Sequence, residues 1–561
     1  MDFCVVGGGL AGLCAAIAAA RHGVRTALVQ ERPVLGGNAS SEIRMWVCGA
    51  NGQYDRETGI VEELFLENYY QNHNLSFSIW DSVLYGTAAS EENLQLFLNC
   101  TCQDAEMDGD CIQSIRGWQM TTETYHKIYA KYFADCSGDS VLAPLTGAEY
   151  TLGREAKETY GEPIGRTAAD QKTMGMSCLV QAREYPTPQK FTPPKWAYSY
   201  PSDAELPSQR GHLLDSYQNF WWVELGGDRD GIHEAEEIKH ELLKTALGIW
   251  DHMKNHGDHN AENWALDWIG FLPAKRESRR YIGDYVLTQH DVESGGKFDD
   301  MIAYGGWTMD DHAPEGILHQ GPPNVNYPVD AAYGIPYRCL YSKNIKNLLF
   351  AGRNISVSHA ALSSTRVMAT CAVLGQAAGT AAAMAIKENK SLREISVPTL
   401  QQALMEDDCY LPGQTRERSA LTKQAQTAYP VLQNGLERRM GEDSLNFYEG
   451  DLGTPVEYTW QEYVPIREIR LIFDSNLERS YDNMPCWFRI EEPNYKVPAT
   501  LLKAYRITAH TPEGTVVLAE ITDNHQRLVR HSVSVTADKI SLIPLETYGD
   551  EKAKLFSMDV R

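Results

Sequence analysis

No Cys-x-x-Cys pair occurs among the 12 cysteines of this sequence. The closest two, Cys100 and Cys102, are spaced Cys-x-Cys, which suits neither a zinc nor an iron–sulfur site. Cys4, Cys14, Cys136 and Cys371 lie in apolar or Gly/Ala-rich stretches. They read as small buried residues of a reduced, cytoplasmic protein. Positive charge is also in deficit, since 51 Lys+Arg stand against 75 Asp+Glu and leave a net charge of −24. Nucleic acid is therefore not an expected partner, because a phosphate backbone needs a concentrated basic patch. The densest basic run, Lys275 to Arg280, is short. No charged leader precedes the apolar start Phe3-Cys4-Val5-Val6, so no signal peptide is expected. A long hydrophobic run is missing too. Residues 367–386 have the length of a membrane span, but Thr370, Gly375, Gln376, Gly379 and many alanines dilute them. A buried helix, and no membrane, is expected. Internal repeats and low-complexity tracts are absent.

What remains is a chain of 561 residues, 43% of them hydrophobic. Single cores stop growing near roughly 250–300 residues, so two or three domains are expected. The fold class expected is α/β: a Rossmann-like domain with an inserted α+β substrate domain and a C-terminal β-sandwich. The boundaries read as 1–160 plus 335–392 for the Rossmann-like domain and 161–334 for the substrate or cap domain. A helical linker at 393–430 and the β-sandwich at 431–561 follow. The last assignment rests on short alternating strands near Val464–Phe473, Leu502–Ala509, Val516–Glu520 and Lys539–Ile543.

The informative motif comes first in the chain. Gly7, Gly9 and Gly12 form G-x-G-x-x-G between an apolar strand and an Ala-rich helix over Leu10–His22. Gly7 permits the tight turn, Gly9 lets backbone approach a pyrophosphate, and Gly12 lets the helix pack on the sheet. The N–H groups of Leu10 and Ala11 begin a helix whose positive end favours phosphate. A second strand ends at Glu31, a carboxylate placed for ribose hydroxyls, followed by Arg32. This much leaves NAD and FAD open. Two features favour FAD. Gly36-Gly37-Asn38, continuing to Ser41 and Glu42, gives a second Gly-rich approach for a longer cofactor. The segment Asn347 to Asn354, with Gly352 and Arg353, returns as strand, loop and long helix.

On these residues the chain resembles the bacterial FAD-dependent oxidoreductase family of the glutathione-reductase-like superfamily. Fumarate reductase flavoproteins and thiazole-biosynthesis proteins are more distant relatives. The resemblance spans about residues 1–390. It also rests on Asp135-Cys136-Ser137-Gly138-Asp139, Arg276 to Tyr285, Gly305-Gly306-Trp307 and Thr365 to Ala369. It implies that Ser137, Gly138 and Asp139 lie near the FAD and that Arg353 sits by its pyrophosphate. It further implies that Arg366, Val367 and Met368 meet the isoalloxazine; Cys102 joins the expected cofactor contacts. The cluster-binding cysteines of heterodisulfide-reductase relatives are missing. The C-terminal region, with Ile469 to Ser475, resembles a discoidin-like sandwich.

A base for alcohol oxidation should titrate near working pH, which points to histidine. His359, in Ser356-Val357-Ser358-His359, is the first candidate, and His312, beside Asp310 and Asp311, the second. Arg279 or Arg366 would serve as proton donor if the reaction is instead reduction of an activated C=C bond. One of Arg276, Arg279 and Arg280 is expected near cofactor or substrate. His252, His256 and His259 have metal-like spacing but lack a neighbouring Glu. They read as exposed, and no metal is expected. Seven of the twelve tryptophans fall between 196 and 307, and some of them are expected to wall an aromatic pocket. The function expected is FAD-dependent oxidation of a secondary alcohol of a sugar or glycoside. Reduction of an activated C=C bond is the alternative, and a flavin-containing glycan-binding or assembly protein is the reading of another class. The partner expected is a small molecule, with carbohydrate the favoured class; homo-oligomerisation is left open.

Overall fold

A computed structural model describes residues 1–207, 214, 219–479, 483–491 and 495–561. The chain divides into two compact units. The first comprises 1–50, 74–400 and 482–495; the second comprises 51–73, 401–481 and 496–561. The expected Rossmann-like and cap segments fall in one unit, the expected linker is divided after residue 400, and two excursions cross the expected boundaries. Residues 51–73 cluster with the C-terminal segments, and 482–495 cluster with the N-terminal ones. The stretch expected as a linker holds the helices Val397–Glu406 and Ala420–Gln424.

The first unit is organised on a five-stranded parallel sheet. Its order is Leu348–Phe350, Tyr132–Asp135, Phe3–Val6, Thr26–Val29, Leu94–Phe97. The strands are short and fully apolar in the middle because both faces are covered, as parallel sheets require. Helix Leu10–Arg21 is buried along nearly its whole length. Helix Met368–Glu388, the diluted apolar run, packs against it. A Cβ on Gly375 would lie 1.9 Å from the Ala11 carbonyl oxygen, and one on Gly379 would lie 2.1 Å from that of Ala15. Small residues let the two backbones touch. The helix is long and apolar enough to cross a membrane, yet 89% of its apolar window is buried inside the protein. A three-stranded antiparallel meander, Cys100–Asp108, Cys111–Gln119 and Thr124–Tyr129, is inserted in the chain between the sheet strands Leu94–Phe97 and Tyr132–Asp135. Among the described residues no two cysteines form a disulfide.

The middle of the unit is built round helix Ala235–Asn255, whose apolar side packs on Trp222, Trp264 and Phe220. Trp487 and Cys486 complete this core. They arrive from the 482–495 excursion, where Phe488 N–H donates to the Ala182 carbonyl at 3.0 Å. The core thus absorbs Trp222, Trp250 and Trp264 rather than leaving them for a ligand.

The second unit carries a six-stranded antiparallel sheet. Its order is Tyr448–Asp451, Lys552–Val560, Val456–Phe473, Leu528–Thr547, Leu502–Thr511, Gly514–Ile521. The two long strands break register between Thr459 and Val464 and between Ile466 and Glu468. At such irregularities a strand bends and passes from one layer of a sandwich to the other. Charged groups are buried here in pairs. Arg470, with no exposed surface, holds Glu437 at 2.6 Å, and Arg416 holds Asp559 at 2.9 Å. Helix Ile60–Gln71 contributes Glu62, which accepts from Ser475 at 2.6 Å.

Candidate functional site

All the parallel strands point the same way, so the loops after Val6, Val29, Asp135 and Phe350 gather at one edge. Ligands of such sheets bind outside the carboxyl ends of the strands. A cavity of about 600 Å³ lies there. The Gly-rich loop is fastened from both sides. Gly8 N–H donates to Gln30 Oε1 at 2.7 Å, and Gly36 N–H donates to the Gly8 carbonyl at 2.8 Å. Gly9 and Gly37 face each other closely, since a Cβ on Gly37 would come within 3.1 Å of the Gly9 Cα. Helix Leu10–Arg21 starts at Gly9 with no side-chain cap, so its first N–H groups are left for a ligand.

Most of the residues singled out for cofactor binding line this cavity. They are Gly7, Gly9, Leu10, Ala11, Glu31, Arg32, Gly37, Asn38 and Cys102, then Ser137, Gly138, Asp139, Gly352, Arg353, Arg366, Val367 and Met368. Gly12 does not line it. A Cβ there would sit 1.8 Å from the Gly7 carbonyl oxygen, so Gly12 serves helix packing. Ser41 does not line it either; its N–H donates to Asp81 at 3.0 Å, away from the cavity. The 136–142 loop is shaped by buried Asp135, which accepts from Ser137 N–H at 2.9 Å, Leu142 N–H at 2.7 Å and the Tyr281 hydroxyl at 2.7 Å. Burial raises the Asp135 pKa despite these bonds. Asp139 is gripped by Arg353 at 2.9 Å and Lys275 at 2.8 Å. Burial opposes its charge, but the two cations prevail and hold its carboxyl below the usual range.

A long dinucleotide fits these residues. The uncapped helix start, the bare Gly9 backbone and the Arg353 guanidinium converge on one region. Buried Arg353 Nε has no hydrogen-bond partner among the described residues, as expected of a donor reserved for an anion.

The far end of the cavity is lined by Trp46, Trp221, Trp307, Asn324 and Asn326 with Arg276, Asp310, His312 and Arg366. Sequence reading missed Trp46 and the two asparagines, which carry no motif. Arg276 is the arginine of its cluster that reaches the cavity. It spends its donors on Ser177 Oγ at 3.0 Å and the Trp221 carbonyl at 2.7 Å. His312 Nδ1 lies 2.6 Å from Glu224 Oε2, and its Nε2 lies 2.9 Å from Asp310 Oδ2. Burial pulls its pKa down, but Glu224 and Asp310 overcome this and raise it above the ordinary imidazole value. Arg366 anchors Asp310 at 3.0 Å.

Two catalytic candidates are displaced. His359 does not line the cavity; it opens helix His359–Thr365, and only 7% of it is exposed. Its Nδ1 meets both Glu277 oxygens at 3.0 Å and its Nε2 meets Asp311 at 3.1 Å. Burial opposes the charge, but these carboxylates push its pKa up to about 9. Both ring nitrogens face carboxylates, as in His312, but the His359 side chain is absent from the cavity lining. Arg279 also stays outside the cavity wall, donating to the Asp139 carbonyl at 3.3 Å and lying over the Tyr150 ring. Arg280 is buried against Glu155 at 2.6 Å and against Glu277. The histidines read as exposed are not: His252 is fully buried, and His259 is 10% exposed at its side chain.

A family model described as FAD dependent oxidoreductase matches residues 2–404. The chain belongs to this family. It is therefore an FAD-dependent oxidoreductase, with FAD as its cofactor. No curated protein matches the chain. Solved structures give partial likenesses. Thermovibrio ammonificans THI4 shares 17% identity over 30% of this chain and 75% of its own, with a TM-score of 0.21. The family 32 carbohydrate-binding module of Streptococcus pneumoniae EndoD shares 9% identity over 24% of this chain and 94% of its own, with a TM-score of 0.19. The family 32 module of C. perfringens NanJ, solved with galactose, shares 10% identity over 26% of this chain and 97% of its own, with a TM-score of 0.18. At that extent of similarity none of the three bears on what this FAD-dependent oxidoreductase binds.

Proposed function

We propose that the enzyme moves hydride between the carbinol carbon of a sugar or glycoside and its flavin, with His312 as the proton-transfer group. The observation that carries this reading is the place of His312 in the cavity wall among Trp221, Trp307 and Asn324. Trp221 meets the His312 ring edge-on at 5.7 Å between centroids. Indole faces suit the C–H faces of a pyranose, and side-chain amides suit its hydroxyls.

Bound FAD supplies a two-electron hydride acceptor and donor. The chain supplies the rest. Glu224, with 1% of its side chain exposed, fixes Nδ1 and the ring orientation. Asp310, more open at 15%, holds Nε2 at the end through which a proton can pass. In oxidation the hydride leaves carbon, the hydroxyl proton passes to neutral His312 and the C=O bond forms. In the reverse direction the imidazolium returns that proton to oxygen. The raised pKa of His312 favours the acid role at neutral pH and the base role at alkaline pH.

A second reading is favoured by Arg276 and Arg366, both in the cavity wall. Buried Arg366 Nε lacks a hydrogen-bond partner among the described residues. Two guanidiniums suit an unsaturated carboxylate and reduction of its C=C bond. Anaerobic mixing with monosaccharides and methyl glycosides tests the first reading by bleaching of the flavin absorbance. A flavin left oxidised by every sugar, yet reoxidised from its reduced form by α,β-unsaturated carboxylates, would replace the first reading with the second.

A further inference from the structure

Helix Ala235–Asn255 has one end at the flavin cavity, where Ala235 and Glu236 line the wall. His252, in its last turn, lies 16–17 residues further on, about 25 Å along the axis at 1.5 Å per residue. There it meets a cluster that the flavin site does not use. His252 Nδ1 lies 2.7 Å from the Tyr200 carbonyl oxygen. A carbonyl only accepts, so Nδ1 carries hydrogen, and in the neutral ring Nε2 is left as a lone pair. That lone pair faces Asp203 Oδ1 at 2.9 Å. His259 Nε2 approaches the same oxygen at 4.0 Å, and the two imidazole rings are 4.7 Å apart. Two imidazole nitrogens and one carboxylate oxygen thus gather at one point, a donor set that a divalent cation can bridge. The three ligand atoms all lie within 4.8 Å of one another.

We propose that Asp203, His252 and His259 form a binding site for a divalent transition metal of the zinc type, with water as the fourth ligand. Zinc takes imidazole nitrogen and carboxylate oxygen at about 2.0–2.2 Å, which sets tetrahedral ligands roughly 3.3–3.5 Å apart. The separations of 2.9 and 4.0 Å bracket that spacing. Two imidazoles select against magnesium and calcium, which prefer all-oxygen shells. The Tyr200 carbonyl on Nδ1 is the kind of outer partner that orients a ligating histidine. The Asp203 side chain is 75% exposed, leaving room for water. His256 takes no part; it turns to Asp251 at 3.4 Å. The metal would tie the turn Asp203–Glu205 and the loop after the helix to the tryptophan core, remote from the flavin.

The test uses the full-length flavoprotein, stripped by chelator and dialysed. Zn²⁺ is titrated alone by calorimetry, and Co²⁺ is followed by its tetrahedral visible bands. One equivalent of Zn²⁺ should bind, unaffected by excess Mg²⁺, and raise the unfolding temperature. Asp203→Asn and His259→Gln alter side chains at the rim and should each weaken binding at least tenfold while the flavin spectrum stays intact. Binding well below one equivalent, or equal binding in wild type and both variants, would overturn the site and leave a His252–Asp203 hydrogen bond in its place.

Discussion

His312 Nδ1 and Glu224 Oε2 lie 2.6 Å apart in the cavity wall, with 2% and 1% of their side chains exposed. A buried pair this close fixes the imidazole ring and keeps its proton to higher pH than free histidine does. The ring orientation of the proposed proton-transfer histidine is therefore set by a partner 88 residues away in the chain.

Flavin reduction by a sugar should accelerate as pH rises above the ordinary imidazole range, because the base must first lose its proton. Carbonyl reduction should slow over the same interval. His312→Gln should abolish that pH dependence and slow the reductive half-reaction by about 10²–10⁴. Stopped-flow traces across pH would check it, and an unchanged profile in the variant would remove His312 from the role.

His359 should matter to stability instead. Its folded pKa, pushed up to about 9, exceeds the ordinary imidazole value of 6.5. A raised pKa means that the stabilisation is complete below about pH 6.5 and is lost as pH rises through 9. The difference is worth about 3 kcal/mol. His359→Gln should flatten the fall of unfolding temperature between pH 6.5 and 9, while flavin reduction at neutral pH changes far less than in His312→Gln.

Gly9→Ala separates folding from cofactor binding. The nearest atom to an added Cβ at Gly9 is the Gly37 Cα at 3.9 Å, an ordinary contact. The fold should survive, while the methyl group occupies the pyrophosphate approach and weakens FAD binding by roughly 10- to 100-fold. Fluorescence titration of the apoprotein with FAD, beside a melting curve, would show whether affinity moves alone.

Gly375→Val should do the opposite. Its Cβ would collide with the Ala11 carbonyl, forcing the two central helices apart. The cost should be about 3 kcal/mol or more, beyond ordinary overpacking because backbone must move. Loss of FAD would follow loss of fold, and chemical denaturation would show the lowered midpoint.

The glycine fingerprint could be read from the chain because its parts are local. Gly7, Gly9, Gly12 and Glu31 belong to one strand–turn–helix–strand unit, and residue type there follows from backbone geometry. The returning Gly352-Arg353 was also legible, as a glycine closing an apolar strand before a polar loop and long helix; its φ of 117° is one that glycine adopts readily. The proposed proton-transfer group was not. His359 and His312 look alike in sequence, each a histidine in a polar stretch. Only the distant carboxylates Glu277 and Glu224, and the position of the cavity, separate them. Trp222, Trp250 and Trp264 were indistinguishable from Trp221 and Trp307 for the same reason. Nothing local predicted that Trp487 would enter their core from the C-terminal half.

The sequence alone determined a dinucleotide site, because a pyrophosphate is recognised by backbone amides and missing Cβ atoms that a short motif encodes; Gly36-Gly37-Asn38 and the returning Gly352-Arg353 then favoured FAD over NAD. Tertiary structure decided which histidine lines the cavity, which arginine reaches it and which histidines gather with Asp203. Each of those depends on charges and surfaces brought together over long chain separations, and no local pattern records them.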